Sequence, residues 1–480
     1  MARMIVVKDN LPARRPTVIQ HTHGRVTRQV RSQLTKTRDL CMETLLPKQQ
    51  VKRAIARHGV RFRQCLYTPL VTLWTFLYQA LSEDHSCRAA VAKLLAFVSL
   101  GGNESASAKT DPYCKARERL PEALVADLAR QSGQTLQDRF PSTGMLGGRP
   151  IKIADGTTLS MPDTPANQQE YPQARHHKNG VGFPIMRLVG LISLSCGAVL
   201  NVAMGPYRGK QTGETALLRQ MLGGLQAGDV LLADGYYANY WIIASLLERG
   251  VDLLSHHDGK RRMDWRKGQH LGRRDHVVLW TKPPRPDWLS QEAYDLTPAT
   301  LAVRETAVTV EQPGFRTRQL LLVTTLLDAE LYSKEDLAKA YRARWHVELD
   351  LRSIKQVMRM EVLRCKTPSM VRKEIWMHLL AYNLVRKLMA EAATTVDVSP
   401  RDISFKGTLQ TLAAFTEIGW SCSAAQWRST YKVILRAVAT HRVNDRPDRV
   451  EPHAVKRRPR TQRFLNEPRA IAKARLMKMR

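Results

Sequence analysis

The sequence predicts an α/β protein, and three observations carry that prediction. Apolar strand-like and helix-like runs alternate between residues 150 and 257. Two of the strand-like runs, KIADG and LLADG, end in Asp-Gly. Downstream, YRARWHVELDLRSIK sits in a long stretch without Pro or Gly, as a helix requires.

The elements follow in order. PIKIADGTT is a short strand ending at Asp155. FPIMRLVGLISLS and AVLNVAMG are apolar strands around a Cys196-Gly197 hairpin turn. GETALLRQMLGGL is a helix, and DVLLADGYY is a strand ending at Asp234. ANYWIIASLLERG is a helix closed by Gly250, and VDLLSHH is a strand. This order describes an α/β domain. Residues 259–328 are basic and rich in Pro and Trp, and contain the strand-like LAVRETAVTV and RQLLLVTTLLD, so they read as a β-rich insertion. Ser333, three residues before Asp336, starts the long helix. A second helix, MVRKEIWMHLLAYNLVRKLMAEAA, follows Pro368.

The expected organisation is a basic N-terminal arm (1–65), a helical region whose role is packing or gripping a duplex (66–148), an α/β core (149–258), the insertion (259–328), closing helices (329–395) and a C-terminal region with a basic tail (396–480).

Lys and Arg number 75 against 43 Asp and Glu, a net charge of +32. That excess points to a polyanionic partner, nucleic acid by default. The seven cysteines (Cys41, Cys65, Cys87, Cys114, Cys196, Cys365, Cys422) form no C-x-x-C pair, so neither a zinc finger nor a redox dithiol is indicated, and dispersed thiols fit a reducing cytosol. The N-terminal MARMIVVKDNLPARR lacks the apolar core of a signal peptide. Leu188–Met204, the most apolar run, is short and broken by polar residues, so a hairpin is expected and no membrane span.

Asp-Gly alone is usually a turn. Here each Asp directly follows an apolar strand, at the carboxyl end where open α/β sheets bind ligands. At about 100° per residue, Tyr341, Arg344, Glu348 and Lys355 fall within roughly 60° of one another on the long helix. Val347, Leu351, Ile354 and Met358 form an apolar stripe beside them, so Glu348 borders the buried face. By itself this polar run also fits a solvated edge of ion pairs, each worth about a few tenths of a kcal/mol. If Asp155, Asp234 and Glu348 converge, they repel one another unless a cation lies between them. Hard oxygen ligands suit Mg²⁺ or Mn²⁺. Two such ions activate a water and stabilise the leaving oxygen of a phosphodiester. Arg344 and Lys355 would hold a phosphate, and Trp345 offers a flat face to an unpaired base. Asp350 lies about 200° around the helix from Glu348 and is expected outside the site. Asp163 reads as a turn residue, and His176, His177, His256 and His257 as solvated loop residues.

Tyr341-x2-Arg344-x3-Glu348-x6-Lys355 resembles the YREK signature of the insertion-sequence-4 family of DDE transposases. IADGTTLSMPDT, LLADGYYANY and GRRDHVVLWTKPPRPDW resemble its flanking stretches, and the resemblance spans roughly residues 70–395. It implies a ribonuclease-H-like catalytic domain, interrupted by a β-strand insertion between the second Asp and the Glu. It implies metal ligation by Asp155, Asp234 and Glu348, with two Mg²⁺ or Mn²⁺ ions. It assigns DNA-end contacts to Tyr341, Arg344 and Lys355, and contacts with terminal nucleotides to Trp345. The sequence departs at Gly235, where many members carry Arg. The implied activity is metal-dependent cleavage at element ends and transfer of the 3′-OH into target DNA, with a hairpin intermediate in reach. The implied partners are double-stranded DNA, as terminal inverted repeats and target, and a second copy of the chain in a homodimer. The implied location is the bacterial cytoplasm, at the nucleoid when bound to DNA. A ribonuclease-H-like nuclease without strand transfer and a catalytically inert DNA-binding relative remain the alternatives.

Overall fold

The computed structural model describes residues 39–62, 65–100, 106–175, 178, 180–259, 261–309, 319–443 and 466–478. Residues 1–38, most of the basic tail and the His176-His177 pair lie outside them.

A nine-stranded mixed sheet organises the molecule, in the order β3-β2-β1-β4-β5-β9-β8-β7-β6. β1 (Ile151–Ser160), β2 (Ile185–Ser193) and β3 (Val199–Pro206) are antiparallel neighbours. β4 (Val230–Ala233) and β5 (Asp252–His256) run parallel to β1. β4 is buried on both faces, so its sequence VLLA reads as a continuous apolar run rather than an alternation; only the first four residues of β1 are buried in the same way. Successive residues enter two different cores. Ile151, Ile153 and Leu232 pack beneath the helices on one face; Ala154, Leu231 and Ala233 pack on the other.

The segment read as an insertion is β-rich, and it extends the same sheet. β6 (Gln269–Gly272), β7 (Asp275–Thr281), β8 (Thr300–Thr309) and β9 (Gln319–Thr324) follow one another, and β9 pairs antiparallel with β5.

Within the stretch expected to be a basic arm, two helices lie between residues 40 and 57. α1 (Leu40–Leu45) and α2 (Lys48–Arg57) bury Met42, Leu45 and Val51. Four helices follow: α3 (Pro69–Leu81), α4 (Cys87–Ser99), α5 (Asp111–Arg119) and α6 (Glu122–Arg139). Short α7 (Pro165–Glu170), α8 (Glu214–Arg219), α9 (Tyr240–Leu247) and α10 (Gln291–Leu296) connect or cover strands. α8 is about half the helix that GETALLRQMLGGL predicts, since a 3₁₀ turn at Leu222–Gly224 takes over. α9 ends as expected at Gly250, whose φ of 67° is the left-handed conformation glycine tolerates.

The long polar helix is segmented. Ser333 caps α11 (Lys334–Arg342), accepting from the Asp336 amide. A 3₁₀ turn covers Ala343–Trp345, α12 spans His346–Arg352, and a π-turn covers Ser353–Val357. The Ser353 hydroxyl donates to the Leu349 carbonyl, which competes with the α-helical ladder where it gives way. The helical path is unbroken, but the uniform 100° step is not kept at either end. α13 (Pro368–Thr394), 27 residues long and mostly buried, forms the spine of the helical layer with α6. α14 (Phe405–Phe415), α15 (Ile418–Ser421) and α16 (Ala424–Thr440) complete it, and α17 (Arg469–Lys478) lies in the tail.

All seven cysteines are free. Among the described residues no helix is long and apolar enough to cross a membrane.

Candidate active site

β1 runs on past the end of its parallel partner: the β1–β4 pairing stops at Ala154 opposite Ala233. Asp155 and Asp234 are the next residues on the two strands, side by side where that pairing ends. The expectation that both close their strands holds for Asp234 only. Asp155 lies inside ten-residue β1, paired across to Gly190 on β2. Each carboxylate accepts from the amide of its own following glycine, at 2.8 Å for Asp155 and 2.6 Å for Asp234. The second oxygen of each is left to face another group.

The segmented helix supplies the opposite wall. The Arg344 guanidinium lies between two carboxylates, 3.4 Å from Asp155 Oδ2 and 3.2 Å from Glu348 Oε1. Lys355, on the π-turn, donates to the Thr157 hydroxyl at 3.0 Å. Thr157 shares a face of β1 with Asp155, two residues away. Tyr341 is buried, its ring 6.2 Å from that of His256 at the end of β5. Trp345 is 59% exposed on the 3₁₀ turn. The structure thus brings Asp155, Arg344 and Glu348 into direct contact, with Asp234 and Lys355 alongside.

The electrostatics follow from this packing. Burial pushes the Asp155 carboxyl up to about 6, with Glu214 and Asp234 adding to the rise; the Gly156 amide and Arg344 oppose it. Burial also lifts the Tyr341 phenol to about 12, against the pull of Arg344. Burial works against the charge of Arg344, but Tyr341, Asp155, Asp234 and Glu348 hold it firmly cationic.

The donor set suits a hard divalent cation: three carboxylates near one another, with Arg344 as the cation in contact with two of them. They are not drawn together around a common point. Among the described residues no three His, Cys, Asp or Glu side chains stand at metal-holding spacing, and Arg344 fills the space between Asp155 and Glu348. The chemistry of the residues fits the ion; gathering them requires the guanidinium to give way.

Asp350 is fully buried away from the site, ion-paired to Arg386 and Arg401 and hydrogen-bonded to the Tyr382 hydroxyl. Asp163 accepts from Gln168 in a local turn. His257 corrects the expectation of a solvated loop: it is buried, because β9 covers this strand end, and its Nδ1 accepts from the Gly259 amide. At Gly235 an added Cβ would stand 3.0 Å from the His256 carbonyl oxygen and 3.2 Å from Asp258 Cα. Close backbone approach therefore favours glycine at this departure from the family pattern. Sequence reading missed Glu214 and Thr157. A Glu at a helix start is too common to stand out, and nothing local marks Thr157 as the partner of a lysine 198 residues away.

Comparison with known proteins bears on this geometry. The family model described as "Transposase DDE domain" matches residues 146–384, which contain every residue of the site. The chain is 29% identical to "Transposase InsG for insertion sequence element IS4" of Escherichia coli strain K12 over 357 residues, 72% of this chain and 75% of that protein. The chain belongs to the DDE transposases of the insertion-sequence-4 family. The transposase is also 30% identical over 142 residues to "Putative transposase InsZ" of the same strain, covering 29% and 46% of the two chains. Among solved structures, the piggyBac transposase in a synaptic complex with hairpin DNA aligns over 82% of this chain and 84% of its own, with a TM-score of 0.40 and 9% identity. An insertion-sequence transposase acts on DNA, by metal-dependent cleavage and strand transfer.

Proposed function

We propose that Asp155, Asp234 and Glu348 are the catalytic carboxylates of this transposase, and that its α/β core is ribonuclease-H-like. The observation that carries this reading is the Arg344 guanidinium, which touches Asp155 from 189 residues away and Glu348 from the next turn. The first five strands support the fold, with antiparallel β3-β2-β1 continued by parallel β4 and β5. The three carboxylates would hold Mg²⁺ or Mn²⁺, two ions in the full complex. Such ions lower the pKa of a bound water and offset charge on a phosphodiester.

The remaining roles belong to the chain's own groups. Arg344 and Lys355 face the phosphates of the element end, and Tyr341 fixes the backbone beside them. Trp345, exposed at the rim, stacks on an unpaired terminal base. Cleavage forms a bond from water oxygen to phosphorus and releases the 3′ oxygen as a hydroxyl. In the second step that hydroxyl attacks a target phosphodiester and displaces a target 3′ oxygen. The helical layer of residues 66–148 grips the end, and two copies of the chain act as a homodimer on paired ends.

Asp155→Asn, Asp234→Asn and Glu348→Gln should each abolish cleavage of an end-containing duplex while leaving its binding within about threefold of the parent. Substantial cleavage by any of the three would overturn the assignment. Sedimentation with end-containing duplexes should give two protein chains per pair of ends, and a single chain would refute the dimer.

A further inference from the structure

The helical layer holds a side-chain cluster that none of the roles above uses. Cys87 is the first residue of α4, and Cys114 lies in the first turn of α5. Their sulfurs are 3.8 Å apart, and both thiols are free. Both residues are half-buried, so a small solute reaches them. A disulfide needs the sulfurs in covalent contact, a movement of about 2 Å from here. No C-x-x-C spacing marks the pair: 27 residues separate its members, and the fold alone brings them together.

Arg117 gives the pair its chemistry. It is buried one turn beyond Cys114, and its guanidinium donates to Cys87 Sγ at 3.2 Å and to Cys114 Sγ at 3.9 Å. Its other terminal nitrogen donates to Gln79 Oε1 at 3.1 Å, and its Nε has no hydrogen-bond partner among the described residues. Burial works against its charge, while Tyr113, Cys87, Cys365 and Cys114 support it. A buried cation set against sulfur favours thiolate. It also repels a metal ion, and among the described residues no third ligand completes a metal site. Three donors converge on Cys87: Arg117, the Cys114 thiol, and Gln79 Nε2 at 3.9 Å. Burial still pushes the Cys87 thiol up, with Arg117 opposing. What the minor thiolate forms must therefore be trapped by a sulfur already in place.

We infer that Cys87 and Cys114 are a redox-modification site, oxidised by a hydroperoxide to an intrachain disulfide that ties α4 to α5. The Cys87 thiolate attacks one peroxide oxygen. A sulfur–oxygen bond forms, the oxygen–oxygen bond breaks, and the other oxygen leaves with the electron pair. The Cys114 sulfur then attacks the sulfur of this sulfenic acid. The sulfur–sulfur bond forms, the sulfur–oxygen bond breaks, and hydroxide leaves and takes up the Cys114 proton. With hydrogen peroxide, two thiols lose two electrons and two protons, and the peroxide becomes two waters. The site stands apart from the catalytic carboxylates and does not depend on their assignment.

The test is peptide mapping of the full chain by mass spectrometry, after excess hydrogen peroxide and alkylation of the remaining thiols, beside melting temperature before and after treatment. The Cys87–Cys114 link should be the dominant one and disappear in dithiothreitol. The oxidised parent should melt about 3 °C or more above the reduced parent, because the link restricts the unfolded chain. Cys87→Ser and Cys114→Ser should melt like the reduced parent and gain no such shift, which separates the link from methionine oxidation. In Cys114→Ser the sulfenic acid has no partner, so dimedone should label Cys87. If both cysteines are still alkylated after peroxide, or link mainly to other cysteines or to a second chain, the proposal is overturned. Unchanged melting of the linked parent overturns the tie between α4 and α5. Absence of dimedone at Cys87 in Cys114→Ser overturns its role as the attacking sulfur.

Discussion

Asp155 and Asp350 show how far side-chain chemistry depends on what stands opposite. Both are acidic and both meet arginine, but half-buried Asp155 has one guanidinium at 3.4 Å and two further carboxylates nearby, whereas fully buried Asp350 has two guanidinia of its own. The Asp155 carboxyl is raised from 3.8 to about 6, chiefly by burial. The native state therefore holds a proton that the unfolded chain has released between those values. Stability must fall as pH rises through that window, the reverse of an ordinary salt-bridged carboxylate. In EDTA, the melting temperature of the parent should drop between about pH 4 and pH 6 relative to Asp155→Asn, which cannot titrate there. Parallel pH profiles for the two proteins would contradict this. The cationic residues separate differently. Arg344→Ala and Lys355→Ala should each weaken binding of an end-containing duplex and flatten its log–log salt dependence by about one unit. Trp345→Ala should leave that slope unchanged and impair end processing, since a paired base offers no free face for stacking. Equal slopes in the parent and both charge variants would remove Arg344 and Lys355 from the DNA path.

Elements place these residues, and here the sequence was only partly legible. The start of α11 at Ser333 could be read because a cap is a local contact, between residues three apart. The facing of Glu348 and Asp350 to different sides could be read because two positions on one helix turn differ by a fixed angle. The 3₁₀ turn at Ala343–Trp345 and the π-turn at Ser353–Val357 could not, since nothing in their composition breaks a helix. Nor could the clamp on α12. Asp350 is gripped by Arg386 from α13 and Arg401 from the turn after it, partners 36 and 51 residues away. That clamp fixes the helix two residues from Glu348. Removing one partner of a buried, hydrogen-bonded ion pair strands the other charge, at a cost of about 3–5 kcal/mol. Asp350→Ala should lose stability of that order in urea unfolding, while Glu348→Gln, at a half-exposed rim, should lose little. If the two variants unfold alike, α12 is not held by Asp350.

At the scale of the whole molecule, the alternation of strands and helices from 150 to 257 was visible in the sequence, because each element carries its own apolar pattern. The pairing of β9 with β5 was not, because a strand pattern says nothing about which distant edge it joins. That pairing changes what residues 259–328 are. An insertion with its own sheet could be excised and leave the core intact. Here β5 has β4 on one side and β9 on the other, so removing β9 would expose a row of unpaired backbone groups beside the candidate site. β8 also reaches the start of α11. Arg304, fully buried and paired with Asp275 at 2.7 Å, donates to the Tyr332 carbonyl at 2.7 Å, one residue before the cap of α11. The insertion therefore helps set where α11 starts, and with it Tyr341, Arg344 and Glu348. Replacing residues 259–327 by a short Gly-Ser linker should abolish the cooperative thermal transition and leave an aggregation-prone chain. Arg304→Ala, the milder change, should lower the melting temperature and also reduce cleavage, although Arg304 is fully buried and its contacts are with Asp275 and the Tyr332 carbonyl. A linker variant that melts cooperatively near the parent temperature and still cuts element ends would show that the four strands are a detachable accessory and that the five-stranded core alone positions α11 and α12.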